Sequence, residues 1–278
     1  MSSATKVSVQ GNVVEVTWID GKNSGCHAIR LDGARWVDPV TGEIHEYEKH
    51  SERRTDNTQE LLKTFDTIRA LVNTNCTDPK RIRWITLTYA ENMTDTKRLH
   101  DDFRKFWQRF KRRWGNAEYI AVIEPQGRGA WHVHLIAIWP DKAPFVPNDE
   151  LRACWGHGFV RVNAVREDCD NLGAYLSAYL ADIEVAAGDD GTEKQVGGQS
   201  KKFKKRGRLG MYPVGMNIYR TSRGIKRPEV FWTDTRDAAM RYEELTEGRK
   251  PVYEREVVFK DDEGREHRVL KQQYNLLR

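Results

Sequence analysis

Tyr119-Ile-Ala-Val-Ile-Glu-Pro-Gln-Gly-Arg-Gly-Ala-Trp-His-Val-His-Leu-Ile-Ala-Ile-Trp139 reads as two strands joined by a tight, glycine-containing turn. The first strand spans Tyr119 to Glu124, the turn holds Gly127-Arg128-Gly129, and the second strand spans Trp131 to Trp139. Strand periodicity of two places His132 and His134 on one face. The short connection folds Glu124 back beside them, so one carboxylate and two imidazoles converge on a single patch of sheet. Two nitrogens and one oxygen suit a divalent ion such as Mg²⁺ or Mn²⁺ with positions left for water and phosphate. Three protein ligands with vacancies describe a catalytic rather than a closed structural metal site.

Working outward, Arg83-Trp-Ile-Thr-Leu-Thr-Tyr89 alternates as a strand. Thr94 opens an amphipathic helix to about Trp114, with Leu99, Phe103, Phe106, Trp107 and Phe110 on one face. A short helix fits Asn148 to Trp155, and Phe159 to Val165 is a strand. A helix then starts at Asp170 or Asn171 and continues to about Ala186. The order β-α-β-β-α-β-α predicts an α+β fold, an antiparallel central sheet with helices packed on one face.

Four segments are expected: an N-terminal strand and helix extension (1–79), the central core (80–187), a glycine-rich loop with a basic segment (188–228), and a C-terminal helix and hairpin (229–278). In the first, residues 6–19 read as a hairpin about Gly11-Asn12, and a helix follows from Asp56 or Asn57 to about Asn73. Residues 187–200 read as a polar mobile loop.

Composition narrows the function. Charged residues are 31% and the longest apolar run is far too short to span a bilayer. The N-terminus does not resemble a signal peptide, so a cytoplasmic protein without a membrane association is expected. Cys26, Cys76, Cys154 and Cys169 show no CxxC spacing, which argues against a zinc ribbon. Net charge is +5, but Lys201 to Arg227 holds ten Lys or Arg and no acid, leaving the rest of the chain with an excess of acid. A concentrated basic segment on an acidic body points to a polyanion partner. Lys201, Lys202, Lys204, Lys205, Arg206, Arg208, Arg220 and Arg223 are the candidate phosphate contacts, interleaved with Tyr212 and Tyr219 that can stack unpaired bases. Arg128, in the turn beside the histidines, is a further one.

Tyr175 and Tyr179 stand four apart in Leu172-Gly-Ala-Tyr-Leu-Ser-Ala-Tyr-Leu-Ala-Asp-Ile183, on one helical face. Leu172, Leu176, Leu180 and Ile183 form the buried stripe, and both tyrosines flank it. A phenol has a pKa near 10; a nearby cation and the positive end of a helix favour the phenolate nucleophile.

Ile-Thr-Leu-Thr-Tyr (85–89), Glu124 with His132-Val-His134, and the tyrosine helix occur in the order of the three motifs of HUH endonucleases. The chain resembles the rolling-circle replication initiators (Rep proteins) of bacterial plasmids and phages over about residues 80–185. The resemblance implies a ferredoxin-like or RNA-recognition-like sheet and site-specific nicking of single-stranded origin DNA. It implies Mg²⁺ or Mn²⁺ on Glu124, His132 and His134, and attack by Tyr175 or Tyr179 to leave a 5′-phosphotyrosine and a free 3′-hydroxyl. A two-tyrosine transposase or a relaxase shares this chemistry, and a non-catalytic RNA-recognition-like binding module is the alternative from another class. Many Rep tyrosine helices carry a lysine three residues after the tyrosine; here those positions are Ala178 and Asp182. No GxxxxGK[ST] loop is present, so no nucleotide cofactor is expected and a host helicase is the implied partner.

Overall fold

The computed structural model describes residues 5–19, 29–30, 35–37, 44–46, 58–126, 129–165, 172–173, 183–185, 192–196, 199–204, 212–213, 216–260 and 266–277. The chain opens with the hairpin β1 (Lys6–Gln10) and β2 (Val13–Ile19), then three short strands β3 (Ile29–Arg30), β4 (Arg35–Val37) and β5 (Ile44–Glu46). Helix α1 (Thr58–Asn75) leads to β6 (Ile82–Thr88), α2 (Thr96–Trp114), β7 (Glu118–Pro125) and β8 (Trp131–Ile138). Next come α3 (Asn148–Trp155), β9 (Val160–Ala164), β10 (Ile183–Val185), β11 (Thr192–Val196) and β12 (Gln199–Lys204). Strands β13 (Tyr219–Thr221) and β14 (Glu229–Trp232), helix α4 (Arg236–Thr246), and the hairpin β15 (Tyr253–Lys260) and β16 (Glu266–Asn275) complete the order.

The central sheet has the order β13-β7-β8-β6-β9 and is antiparallel. Strands β6 and β7 both pair with β8, so they run parallel to each other with α2 as the crossover between them. This is the split β-α-β arrangement. Local sequence explains α2: Asp95 accepts hydrogen bonds from the Lys97 and Arg98 amides, and Gly115 ends the helix at φ 82°. Lys111, Arg112 and Arg113 occupy its last turn, where the helix dipole favours cations. Its stripe of Leu99, Phe103, Phe106, Trp107, Phe110 and Trp114 is buried with Ile85, Leu87, Ile123, Val133 and Leu135 of the sheet. Each such fully buried side chain contributes about 1.5–3 kcal/mol. Helix α3 lies on the same side, tied to α2 by Arg109, whose Nε donates to the Cys154 carbonyl (2.9 Å).

The other face is half covered. Phe65, Ile68, Leu71 and Val72 of α1 pack with Ile82, Trp84, Ile120, Val122, Ile136 and Ile138. A helix from the N-terminal extension thus forms a third layer, in addition to the helices expected on one side.

Strands from the two chain ends form one second sheet, ordered β14-β1-β2-β16-β15. The Gly11 turn of its first hairpin (φ 61°) sits on the C-terminal end of α1: a Cβ there would lie 2.5 Å from the Asn73 carbonyl oxygen. Only glycine meets both demands.

Two expectations are corrected between residues 170 and 204. Ile183–Val185 is a strand, so the helix starting near Leu172 ends before it. Ile183 and Val185 are β-branched and pair with β12, which outweighs their place in the helical stripe. The stretch expected as a loop contains β11 and the start of β12, an antiparallel pair. Gly197 and Gly198 stand between the two, a hairpin signal in the sequence itself.

Candidate metal centre and nucleic-acid face

Register sets the site. Across the β7–β8 hairpin Glu124 pairs with His132, and Val122 with His134. Across β6–β8, Thr88 pairs with His132 and Thr86 with His134. Directly opposed residues share a face, so Glu124, His132, His134, Thr86 and Thr88 form one polar patch. One candidate ligand atom from each of Glu124, His132 and His134 lies within 4.8 Å of the others. Two ligands of one ion at about 2.2 Å stand at most about 4.4 Å apart. Small side-chain adjustments are enough to close the triad on a cation, so this Glu/His/His group can hold one.

Burial decides the electrostatics. Glu124 is 2% and His134 3% exposed, while His132 is partly exposed. A hydrogen bond joins His134 Nε2 and Glu124 Oε2, and the Thr86 hydroxyl lies 3.5 Å from His134 Nδ1. The edge of Trp84 meets the His134 ring (6.3 Å between centroids) and fixes its plane. Burial pushes the His134 imidazole down to about 4, so at neutral pH it carries a lone pair for a ligand. A buried carboxylate beside neutral imidazoles is an incomplete electrostatic arrangement, and a divalent cation completes it.

Sequence reading does not single out Thr86, Thr88 and Trp84, although their alternation with Ile85 and Leu87 carries the signal. Tyr89, next along, turns to the other side: it is buried in the α2 core and donates to Asp102 Oδ2 (3.1 Å). Burial and the Asp102 carboxylate hold its phenol far above the ordinary tyrosine range. It is not a phenol of the histidine face.

Tyr175, Tyr179, Arg128, Lys205, Arg206 and Arg208 lie outside the described residues. The described start of the tyrosine segment is informative. Leu172 is buried against α1 and the apolar rows of the histidine face. The Gly173 amide donates to Asn73 Oδ1 (3.1 Å), and a Cβ at Gly173 would lie 2.5 Å from the Arg69 carbonyl oxygen. The segment bearing the two tyrosines therefore begins in the layer that covers the histidine face.

The basic residues scatter. Lys201, Lys202 and Lys204 belong to β12 of the three-stranded sheet β10-β12-β11, with Lys202 opposite Glu193. Arg220 pairs with Ala121, whose side chain is in the α2 core, so Arg220 faces the α2 side. There it acts on Tyr119 and His100; burial first and Arg220 second hold the His100 imidazole below its ordinary value. Arg223 lies in a turn anchored by Gly224 N–H to Glu118 and by Lys226 to Asn75. Six residues of β7 separate Glu118 from Glu124, about 20 Å at strand rise, so Arg223 is at the far end of the sheet from the triad.

Residues 82–184 match a family model of replication-associated proteins, the ORF2 type. That match supports a role in replication initiation, with DNA as the partner. It covers the stretch from the start of β6 to β10, so the triad and the tyrosine segment both fall inside it. No curated protein and no solved structure matches the chain. Among the described residues no helix is long and apolar enough to cross a membrane.

Proposed function

We propose that the protein is a metal-dependent nicking and joining enzyme of HUH type that acts on single-stranded DNA to initiate rolling-circle replication. The observation that carries this reading is the convergence of Glu124, His132 and His134 inside the segment that matches replication-associated proteins. Docking of Leu172 and Gly173 on the histidine-face layer supports it, because the two candidate nucleophiles follow directly.

In this reading the cation, Mg²⁺ or Mn²⁺, neutralises charge developing on the scissile phosphate. Glu124 and His134, buried, and His132, at the rim, hold it at the open end of the sheet. A phenol of Tyr175 or Tyr179 loses its proton and its oxygen forms a bond to phosphorus. The bond from phosphorus to the 3′ oxygen breaks, and that oxygen gains a proton to become the 3′-hydroxyl. The phosphotyrosine ester retains the energy of the phosphodiester, so rejoining needs no nucleotide. The second tyrosine can accept a strand while the first is esterified. Lys201, Lys202, Lys204, Lys205, Arg206, Arg208 and Arg128 are the proposed phosphate contacts; Arg220 and Arg223, remote from the triad, contact flanking DNA. Unwinding falls to a host helicase.

The test is incubation with single-stranded origin DNA and Mn²⁺, followed by a denaturing gel. A covalent protein–oligonucleotide band is expected, lost in Tyr175→Phe/Tyr179→Phe and in His132→Ala/His134→Ala. A band that survives in the double Phe variant refutes the nucleophile assignment. No band from the wild type with either metal refutes the reading.

A further inference from the structure

The edge strand β9 alternates between two environments. Val160 is buried and Val162 packs against the α2 core, which puts the residues between and before them on the histidine face. The Thr88 amide donates to the Phe159 carbonyl (2.9 Å), and Arg161 pairs with Thr86. Combined with the β6–β8 register, this gives two rows across the sheet: Phe159, Thr88, His132, Glu124 and Arg161, Thr86, His134, Val122. The following row contains Trp84, and there the apolar cover from α1 begins. Phe159 is 60% exposed and Arg161 is exposed.

A single exposed phenylalanine is ordinary on a protein surface. Here it stands in the same row as two members of the triad, two strand spacings from β8, or about 10 Å. Beside it the Arg161 Nε donates to Asn163 Oδ1 (3.2 Å), which orients the guanidinium plane. A flat apolar face and an oriented cation, side by side on the open part of the sheet, have the chemistry of a nucleotide: base and phosphate.

We propose that Phe159 and Arg161 form a subsite for the nucleotide neighbouring the scissile phosphate, with its base stacked on the Phe159 ring and its phosphate on the Arg161 guanidinium. The proposal rests on the nicking reading for its location but not for its test. Stacking on an aromatic ring accepts any base, so the subsite supplies affinity and strand position rather than sequence choice.

Binding of a fluorescein-labelled oligothymidine is measured by anisotropy in chelator, where neither metal nor covalent chemistry contributes. Phe159→Ala is expected to weaken binding by roughly five- to a hundredfold, with an unchanged salt dependence. Phe159→Trp restores it. Arg161→Gln is expected to lower the slope of log affinity against log salt by about 0.7, one phosphate contact on a single strand; Arg161→Lys keeps the slope. Phe145, 82% exposed but in the loop whose Ala143 bonds to Lys80 at the opposite end of β6, is the control. Phe145→Ala leaves binding unchanged. Wild-type affinity in Phe159→Ala together with an unchanged slope in Arg161→Gln overturns the subsite, even where the covalent adduct forms. Loss of binding in Phe159→Ala without any adduct from the wild type overturns the nicking reading and leaves the subsite standing. A wild type that does not bind the oligonucleotide overturns both.

Discussion

Asn73 is the residue on which the start of the tyrosine segment hangs, and replacing it tests how that segment is held. It is 7% exposed on α1. Its Oδ1 accepts from the Gly173 amide (3.1 Å), and its Nδ2 donates to Gln10 Oε1 (3.3 Å). Gln10, 1% exposed on β1, donates in turn to Glu15 Oε2 (2.9 Å), and Glu15 Oε1 pairs with Arg69 (2.9 Å). One amide therefore links the second sheet, α1 and the tyrosine segment. Asn73→Ala removes a donor and an acceptor at once. The Gly173 amide and the Gln10 oxygen each lose a buried partner, at about 1–3 kcal/mol apiece. Water entering the space left by the side chain offsets part of this, so about 2–4 kcal/mol of destabilisation is expected. Asn73→Asp keeps the acceptor for Gly173 and loses only the donor.

Urea unfolding gives the global cost, and amide hydrogen exchange at Gly173 gives the local one. Exchange at Gly173 should accelerate in Asn73→Ala and much less in Asn73→Asp. Under the proposed function, adduct formation slows in Asn73→Ala while the Mn²⁺ midpoint stays where it was, because the triad is untouched. A stability change under about 0.5 kcal/mol with unaltered Gly173 protection would refute the linkage.

Saturating the triad with Mn²⁺ at a hundredfold its dissociation constant should add about 2.7 kcal/mol of stability; a thermal shift retained in Glu124→Gln or His134→Ala would remove the triad as the site. Gly173→Ala forces a methyl to within 2.5 Å of the Arg69 carbonyl oxygen, and overpacking of this kind costs about 1–3 kcal/mol; unfolding midpoints equal to the wild type would show that the segment does not abut α1. Arg220→Gln should raise the His100 titration midpoint, read by NMR, since the Arg220 cation helps to hold it down; an unmoved midpoint would mean that Arg220 does not face the α2 side. Glu124→Leu/His134→Leu should leave the metal-free protein as stable as the wild type or more stable, by up to about 4 kcal/mol, while Mn²⁺ binding disappears. A large loss of stability there would make the pair a structural one.

The parts of the fold that sequence reveals are those made by neighbours in the chain. The hairpin of β7 and β8 has its turn and both strands within one short stretch, and α2 declares its face by the spacing of Phe103, Phe106, Trp107 and Phe110. Pairings between distant segments leave no such trace. Strand β2 pairs with β16 at Val14 and Tyr274, and nothing local to either strand names the other. The same holds for β14 with β1. Between 172 and 204 the local signals conflict: leucine and alanine favour helix up to a β-branched pair, and glycines obscure the strands after it. The candidate ligands are legible because strand parity and one tight turn bring them together. The hold of α1 on the tyrosine segment through Asn73 is not, since that contact joins residues a hundred apart.

The meaning of Glu124 and His134 comes from the rows they interrupt. Below them the same face is Val122, Ile120, Ile136, Ile138 and Trp84, an apolar surface that α1 covers. Extending that pattern by two residues would have cost nothing and gained burial energy. Instead the sheet buries a carboxylate and an imidazole at its open end, where desolvation opposes folding and only a cation, or a hydrogen bond between them, offsets it. Threonines continue the polarity onto β6 and an exposed Arg161 onto β9, while α1 stops short of both rows. A sequence that obeys its own alternation everywhere else and departs from it at one patch marks that patch as selected for chemistry rather than for stability.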